Sequence, residues 1–141
     1  MVPAILTSIL SGLPQSPELR GWWVDAWHPG LRNPAEVEAL VKTAREANFN
    51  ALFVQVRRRG DAYYLSRFEP KSSEVQIGFD PLAHLIKLAH DTSLGPRVDV
   101  HAWIVTYNIW HDQLAQPTQP NHPYRLYPDW LTESYLSLIH I

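Results

Sequence analysis

The stretch Asn50-Ala-Leu-Phe-Val-Gln-Val-Arg-Arg-Arg-Gly-Asp-Ala-Tyr-Tyr64 decides the fold of this chain. Its first half predicts a β-strand, because side chains that alternate along a strand point to opposite faces. One face is aliphatic and consists of Leu52, Val54 and Val56. The other face consists of Phe53, Gln55 and Arg57 and becomes polar toward the C-terminal end of the strand. This pattern is typical of a strand that helices cover on one side and a ligand site caps at its end.

The flanking segments repeat this strand and place helices between the copies. Arg20–Trp27 and Val98–Trp103 predict two further strands with the same alternation. Helices are predicted to begin at Pro34 and Pro81, each after a residue type that caps helices, and the first should stop near Asn48. The order β-α-β-α-β implies parallel strands joined by right-handed crossovers.

Long loops follow the second and third predicted strands. Residues 58–78 and 108–127 lack a helical or strand period, and loops of this length in a compact domain are usually functional or mobile. Pro128-Asp129-Trp130-Leu131 is predicted to open another helix. The loops therefore lie where the strands end, which is where we expect a site.

Composition narrows the function classes. Six Trp, six Tyr and 12 Pro suit a site for sugars or other small polar ligands, although core packing is the better explanation for any single Trp. A formal net charge of −2 predicts no attraction to nucleic acid, and the absence of cysteine excludes disulfides and thiolate metal sites. No phosphate-loop, dinucleotide or metal-ligand spacing occurs, so we expect no cofactor and no metal.

The two ends of the chain lie outside the predicted pattern of alternating strands and helices. Residues 1–17 resemble the apolar part of an export signal, and we interpret them as a leader or truncated signal peptide; they are too short and interrupted for a transmembrane segment. Residues 136–141, Leu-Ser-Leu-Ile-His-Ile, back-translate to a sequence that resembles a transposon end used in preparing sequencing libraries. We interpret this tail as non-native; the alternative is an ordinary apolar C-terminus.

Five motifs occur in an order that is specific as a set, namely Arg20-Gly-Trp-Trp-Val-Asp-Ala-Trp-His-Pro-Gly30, Phe49-Asn-Ala-Leu-Phe-Val-Gln-Val-Arg57 with Gly60-Asp-Ala-Tyr-Tyr64, Phe79-Asp-Pro-Leu82, Val100-His-Ala-Trp103 and Pro128-Asp-Trp-Leu131. Together they resemble the N-terminal part of the glycosyl hydrolase-like family 10 proteins, over roughly Leu19 to Leu131.

The resemblance implies an α/β fold, the N-terminal part of a (β/α)8 TIM-type barrel in residues 18–135, with about three βα units. It also implies an exported protein (periplasmic, extracellular or lipid-anchored) that hydrolyses O-glycosidic bonds of a bacterial cell-wall or other polysaccharide glycan. The family's later Asp-Gly-(Ile/Val)-His-(Phe/Leu)-Asp-Asp strand, where catalytic acids are expected, is absent from this sequence. The catalytic residues and the remainder of the barrel are therefore missing, and two alternatives stay open: a non-catalytic carbohydrate-binding barrel, or a non-functional truncated product.

In such a barrel the site lies at the C-terminal ends of the strands. The residues predicted there to bind the glycan substrate are Asp25, Trp27, Gln55, Arg57, Asp61, Tyr63, His101, Trp103 and Tyr107.

Structural roles remain open for most of these polar residues. Asp25 and Arg57 suit an ion pair with each other, Gln55 and His101 suit satisfied polar groups in the core, and Asp61 suits a turn after Gly60.

Two further expectations concern charges near the strand ends. Arg58 and Arg59 read as solvated loop charges. Asp25 and Asp61 are the only local candidates for the pair of carboxylates, about 5–10 Å apart, that glycosidases use.

Overall fold

Three parallel strands form one sheet in the part of the chain that the computed structural model describes, residues 18–110 and 115–131. In sheet order they are β1 (Gly21–Val24), β2 (Ala51–Arg57) and β3 (Asp99–Ile104). With helices between the strands, this arrangement confirms the predicted α/β fold and fits a fragment of a barrel. The leader at 1–17 and the tail at 136–141 lie outside the described residues.

Both predicted helices begin at proline. Helix α1 (Pro34–Glu46) is capped by Asn33, whose Oδ1 accepts a hydrogen bond from the Glu36 N–H at 3.0 Å. Asp80 caps α2 (Pro81–His90) in the same way. Asn48 has a φ of 60°, the left-handed conformation that ends α1 where the sequence predicts.

The core lies between the aliphatic face of β2 and the two helices. Leu52, Val54 and Val56 are buried with Val37, Val41, Leu85 and Ala89 of α1 and α2. Burying each aliphatic side chain contributes about 1.5–3 kcal/mol. This packing determines which face of the sheet remains for the site.

The opposite face of the sheet carries a row of stacked rings. Strand register sets Trp23 beside Phe53 and Phe53 beside His101, and the ring centroids lie 4.8 Å and 4.9 Å apart. Trp103 meets the Trp23 ring edge-on at 5.4 Å. In a (β/α)8 barrel this face is the interior, which layers of side chains fill.

Strand β1 is shorter than predicted. The carboxylate of Asp25 accepts hydrogen bonds from the N–H groups of Trp27 at 2.7 Å and His28 at 3.0 Å. Those donors turn toward a side chain rather than toward a neighbouring strand, so the chain bends after Val24. Asp25 and Trp27 therefore lie in a loop, and their predicted alternation on a strand is wrong.

The region predicted as one loop, residues 108–127, contains a short helix. Helix α3 (Pro123–Leu126) begins after His122, whose Nδ1 accepts from the Tyr124 N–H at 3.2 Å. After it, Pro128–Trp130 forms a single 3-10 turn where the sequence predicts a helix to open. A helix of four residues makes only about one turn, so it leaves no repeating pattern of apolar residues from which it could have been predicted.

The side chain of Arg45 joins the end of α1 to the end of α2. Its guanidinium donates to five backbone carbonyls, those of Leu88, Ala89, Asp91, Leu94 and Pro96, at 2.8–3.4 Å. The last carbonyls of a helix have no partner within the helix, and a cation there also favours the helix dipole.

We expect Arg45→Ala to lower the free energy of unfolding of the chain by about 2 kcal/mol, because several partly buried carbonyls lose their donor together. Urea unfolding followed by circular dichroism measures the change. Lys42→Ala is the control, because its 3.7 Å pair with Glu46 is largely exposed and contributes little. Equal losses in the two variants would contradict this role of Arg45.

Candidate functional site

Two cavities open at the C-terminal ends of β2 and β3, beside the long loop that follows β2. The larger, about 640 Å³, is called the aromatic cleft here and is lined by Arg57, Phe68, Glu69, Thr106, Tyr107, Ile109, Pro123, Tyr127 and Trp130. The smaller, about 180 Å³, is called the arginine pocket and is lined by Arg58, Arg59, Asp61, Ser73, Glu74, Trp110, residues 115–119 and His122. The position of both cavities matches the strand ends where the sequence predicts a site.

A third cavity lies elsewhere. It has a volume of about 400 Å³ and follows the edge of β1 that has no neighbouring strand in the described residues, together with the adjacent part of α1. In a closed barrel the edge of each strand pairs with another strand. We therefore do not assign a site to this cavity.

Arg57 forms an ion pair at the floor of the aromatic cleft. Its Nε lies 2.8 Å from both carboxylate oxygens of Glu69, and its Nη2 lies 2.6 Å from one of them. Nη1 donates to the carbonyls of Thr106, at 3.0 Å, and Val105. The predicted pair between Arg57 and Asp25 is wrong, because Glu69 takes the guanidinium.

We expect Glu69→Gln to lower the free energy of unfolding by about 2 kcal/mol or more, because it leaves the Arg57 cation buried without its countercharge. Urea unfolding of the chain measures this loss. Glu18→Gln, which breaks an exposed pair with Arg20, is the matched control and should change stability little. A Glu69→Gln variant as stable as the control would show that the pair is not structural.

Exposed rings form the wall of the aromatic cleft. Tyr127 and Trp130 stack with their centroids 4.2 Å apart and their planes at 14°, and Trp130 is 70% exposed. Tyr107 is 90% exposed, and its contact with a substrate stays a prediction. Phe68, Tyr127 and Trp130 were missed as site residues, and the signal that could have found them is their position in the segments after β2 and β3.

The backbone of Ala26 is held by three side chains from β2 and its loop. Gln55 Oε1 accepts from the Ala26 N–H at 2.9 Å, while Tyr63 and Arg58 donate to its carbonyl at 3.1 Å and 3.0 Å. Tyr63 is only 1% exposed, and burial raises its pKa to about 12. In the described residues the Tyr63 hydroxyl and the Gln55 amide oxygen are thus both engaged by the Ala26 backbone, and the predicted stacking of Tyr63 on a sugar stays a prediction.

Asp61 shapes the loop after β2. Burial alone would raise the pKa of its carboxyl, but the Arg59 N–H at 3.0 Å, together with the Arg58 charge and the Ser72 hydroxyl, lowers it. Gly60 before it has a φ of 71°, as the turn requires. Asp61 therefore forms the turn after Gly60 that the sequence suggests, and its direct role in substrate binding stays a prediction.

Arg58 is not a solvated loop charge, so that prediction is wrong. The residue is 4% exposed, and its Nη2 lies 2.9 Å from Glu74 and 3.3 Å from Asp61. Its guanidinium also lies over the Trp27 ring at 4.6 Å. The cation therefore belongs to the framework that shapes the site.

Asp25 and Asp61 do not have the properties of a glycosidase carboxylate pair, because neither is suited to act as the general acid. Burial raises the pKa of Asp25, but hydrogen bonds from the His28 side chain and from the backbone of Trp27 and His28 outweigh it, so the pKa is lowered. Both carboxyls thus stay ionised at neutral pH, whereas a general acid needs a raised pKa. The structure also brings Glu69 and Glu74 to this end of the sheet, and both pair with arginine.

His101 and Trp103 lie on the sheet face that carries the stacked rings. Neither residue lines the aromatic cleft or the arginine pocket. Their contact with substrate stays a prediction, because it requires that the substrate reach the sheet face that carries the stacked rings.

His122 anchors the loop that carries Arg59. Its Nε2 donates to the Arg59 carbonyl at 2.8 Å, which requires the proton on Nε2 because Nδ1 accepts from Tyr124. Burial lowers the pKa of His122, and Arg57 lowers it further; the Arg59 carbonyl, Asp61 and Glu69 raise it by less. The folded chain therefore holds this imidazole neutral.

Because the folded-state pKa of His122 lies below its ordinary value, the unfolded chain takes up the proton first as the pH falls. We expect stability to fall as the pH drops from about 7.5 to 5.5, through the ordinary histidine range. The His122→Gln variant, which lacks the titrating group, should lose less stability over the same interval. Parallel pH profiles of the two proteins in urea unfolding would contradict the assignment.

The described residues hold no cluster of three or more histidine or carboxylate side chains suited to a metal ion. Within residues 18–110 and 115–131, no helix has the length and apolar character needed to cross a membrane.

Comparison with known proteins identifies the lineage. A family model described as glycosyl hydrolase-like 10 matches residues 18–139. The protein named glycosyl hydrolase YngK, from Bacillus subtilis (strain 168), is 32% identical over 100 residues, which are 65% of this chain and 19% of the relative. The chain therefore matches only a minor part of that relative's length. The resemblance seen in the motifs is confirmed, and the chain belongs to the glycosyl hydrolase-like 10 family.

Proposed function

We propose that the complete gene product containing this chain is an exported glycoside hydrolase. Its substrate in this proposal is a cell-wall or other polysaccharide glycan with O-glycosidic bonds, and this chain supplies glycan contacts. The observation that carries the proposal is the aromatic cleft, where exposed Tyr107 and the stacked pair of Tyr127 and Trp130 meet at the strand ends. The family and the relative named as a glycosyl hydrolase support the same chemistry.

The shape and lining of the cleft suit a sugar chain. Aromatic rings offer flat apolar faces with a polar handle, and a pocket with an apolar wall and few polar groups is the usual form of a ligand site. The polar groups here are Arg57 and Glu69, which the ion pair holds in place at the floor. Such a cleft binds and orients a glycan.

A second candidate is a barrel that binds glycan without cutting it. This candidate is favoured because the carboxylates at this end of the sheet are already engaged in ion pairs or hydrogen bonds within the chain. Asp61, Glu69 and Glu74 pair with arginine, and Asp25 is held by its own turn. The pKa values of Asp25 and Asp61 are lowered, whereas a general acid needs a raised pKa.

The test uses the complete gene product with purified peptidoglycan and with soluble polysaccharides. We expect release of new reducing ends, and we expect Trp130→Ala to raise KM about tenfold, because a lost ring contact of 1–2 kcal/mol corresponds to that factor. Leu94→Ala is the control, since Leu94 is similarly exposed but lies on the helical side, beside α1 and α2.

Three outcomes separate the candidates. Reducing ends together with the Trp130→Ala effect support the hydrolase. Glycan binding without new reducing ends supports the binding barrel. Binding of no tested glycan, measured by calorimetry, would overturn both.

A further inference from the structure

Arg59 is a cation without a countercharge in the described part of the chain. Its neighbours are paired: Arg58 with Asp61 and Glu74, and Arg32 with Glu74 at 3.3 Å. In the described residues, the two carboxylates of Asp61 and Glu74 therefore neutralise two guanidinium groups, those of Arg32 and Arg58, and the Arg59 side chain forms no ion pair. Among the described residues one positive charge is left over at the arginine pocket, and it lies on Arg59.

The surrounding residues hold this cation in a defined place. Its guanidinium lies over the Trp27 ring at 4.5 Å and over the Trp110 ring at 5.2 Å, which are favourable cation–π distances. Its backbone is fixed by Asp61, which accepts from the N–H, and by His122, which donates to the carbonyl. A group positioned in advance loses little entropy when it binds a ligand.

Several donors at this pocket lack an acceptor. Arg58 Nε, Arg59 Nε and Trp110 Nε1 are buried, and none has a hydrogen-bond partner among residues 18–110 and 115–131. A buried donor without a partner costs about 1–3 kcal/mol, so such groups usually mark a place for a ligand or water. The arginine pocket therefore combines a surplus positive charge with donors and a volume of about 180 Å³.

We infer that the arginine pocket is a subsite for an anionic oxygen group on the glycan, a carboxylate or a sulfate, and that Arg59 selects it. This inference rests on the proposed function. The sequence assigned a sugar carboxylate to Arg57, but Glu69 already occupies that guanidinium. A planar guanidinium binds a carboxylate or sulfate through two parallel hydrogen bonds, which a lysine cannot reproduce.

The test measures binding of oligogalacturonate, of the same oligosaccharide with its carboxyl groups reduced to alcohols, and of a sulfated neutral oligosaccharide. Isothermal titration calorimetry with the complete gene product gives each Kd. We expect one of the two anionic probes to bind at least about tenfold more tightly than the neutral one. The stronger of the two identifies the anion.

We expect Arg59→Gln to abolish this preference, so that the anionic and neutral probes bind the variant with equal affinity. Arg59→Lys should keep only part of it, because a point charge replaces the planar fork. Arg67→Gln removes an equal charge from an exposed residue of the same loop and should keep the preference. Far-UV circular dichroism of each variant verifies that it is folded. If Arg59→Gln does not fold, the partial loss of preference in Arg59→Lys still tests the subsite.

Equal affinity for anionic and neutral probes, or a preference that survives Arg59→Gln, would overturn the subsite and leave the proposed function standing. A preference lost equally in Arg67→Gln would also overturn it, because the effect would then be one of net charge. Failure to bind any of the probes or any polysaccharide of the hydrolase assay would overturn the proposed function, and the subsite with it.

Discussion

The burial of the aliphatic face of β2 is the constraint on which the rest of the structure depends. Leu52, Val54 and Val56 pack against both long helices, and a slip of one residue would bring Gln55 and Arg57 into that core. The cost of burying those polar groups without partners excludes the slipped register. The same packing therefore directs the polar residues of β2 to the opposite face and to the strand end where the candidate site lies.

Charge pairing at the strand ends divides the arginines by role. Arg57 joins the end of β2 to the loop through Glu69, and Arg58 joins it to Asp61 and Glu74. Both are framework residues, since their charges are neutralised within the chain. Arg59 alone of these three consecutive arginines has no carboxylate partner in the described residues, and it is the one to which we assign an anionic ligand in our proposal. Neighbouring positions in the sequence thus do not give these arginines the same role; the presence or absence of a carboxylate partner distinguishes them.

Much of the fold could be read from local patterns. Asn33 and Asp80 mark the helix starts, Asn48 marks a helix end, and the alternation in β2 identifies the buried face. These features depend on contacts within a few residues, so the sequence around them is sufficient. The short helix after His122 depends instead on a cap and a distant loop, and its four residues carry no period.

The sequence by itself determined the order of strands and helices, the aliphatic face of β2 that packs against the helices, and the family; it also predicted a site at the C-terminal ends of the strands. Only the tertiary structure decided which side chains there are free. It placed Tyr63 and Gln55 around the backbone of Ala26, more than 25 residues away in the chain, and it joined Arg57 to Glu69 rather than to Asp25. The physical reason is that polar partners are chosen by distance and burial in the folded chain, and long loops leave those distances undetermined by local sequence.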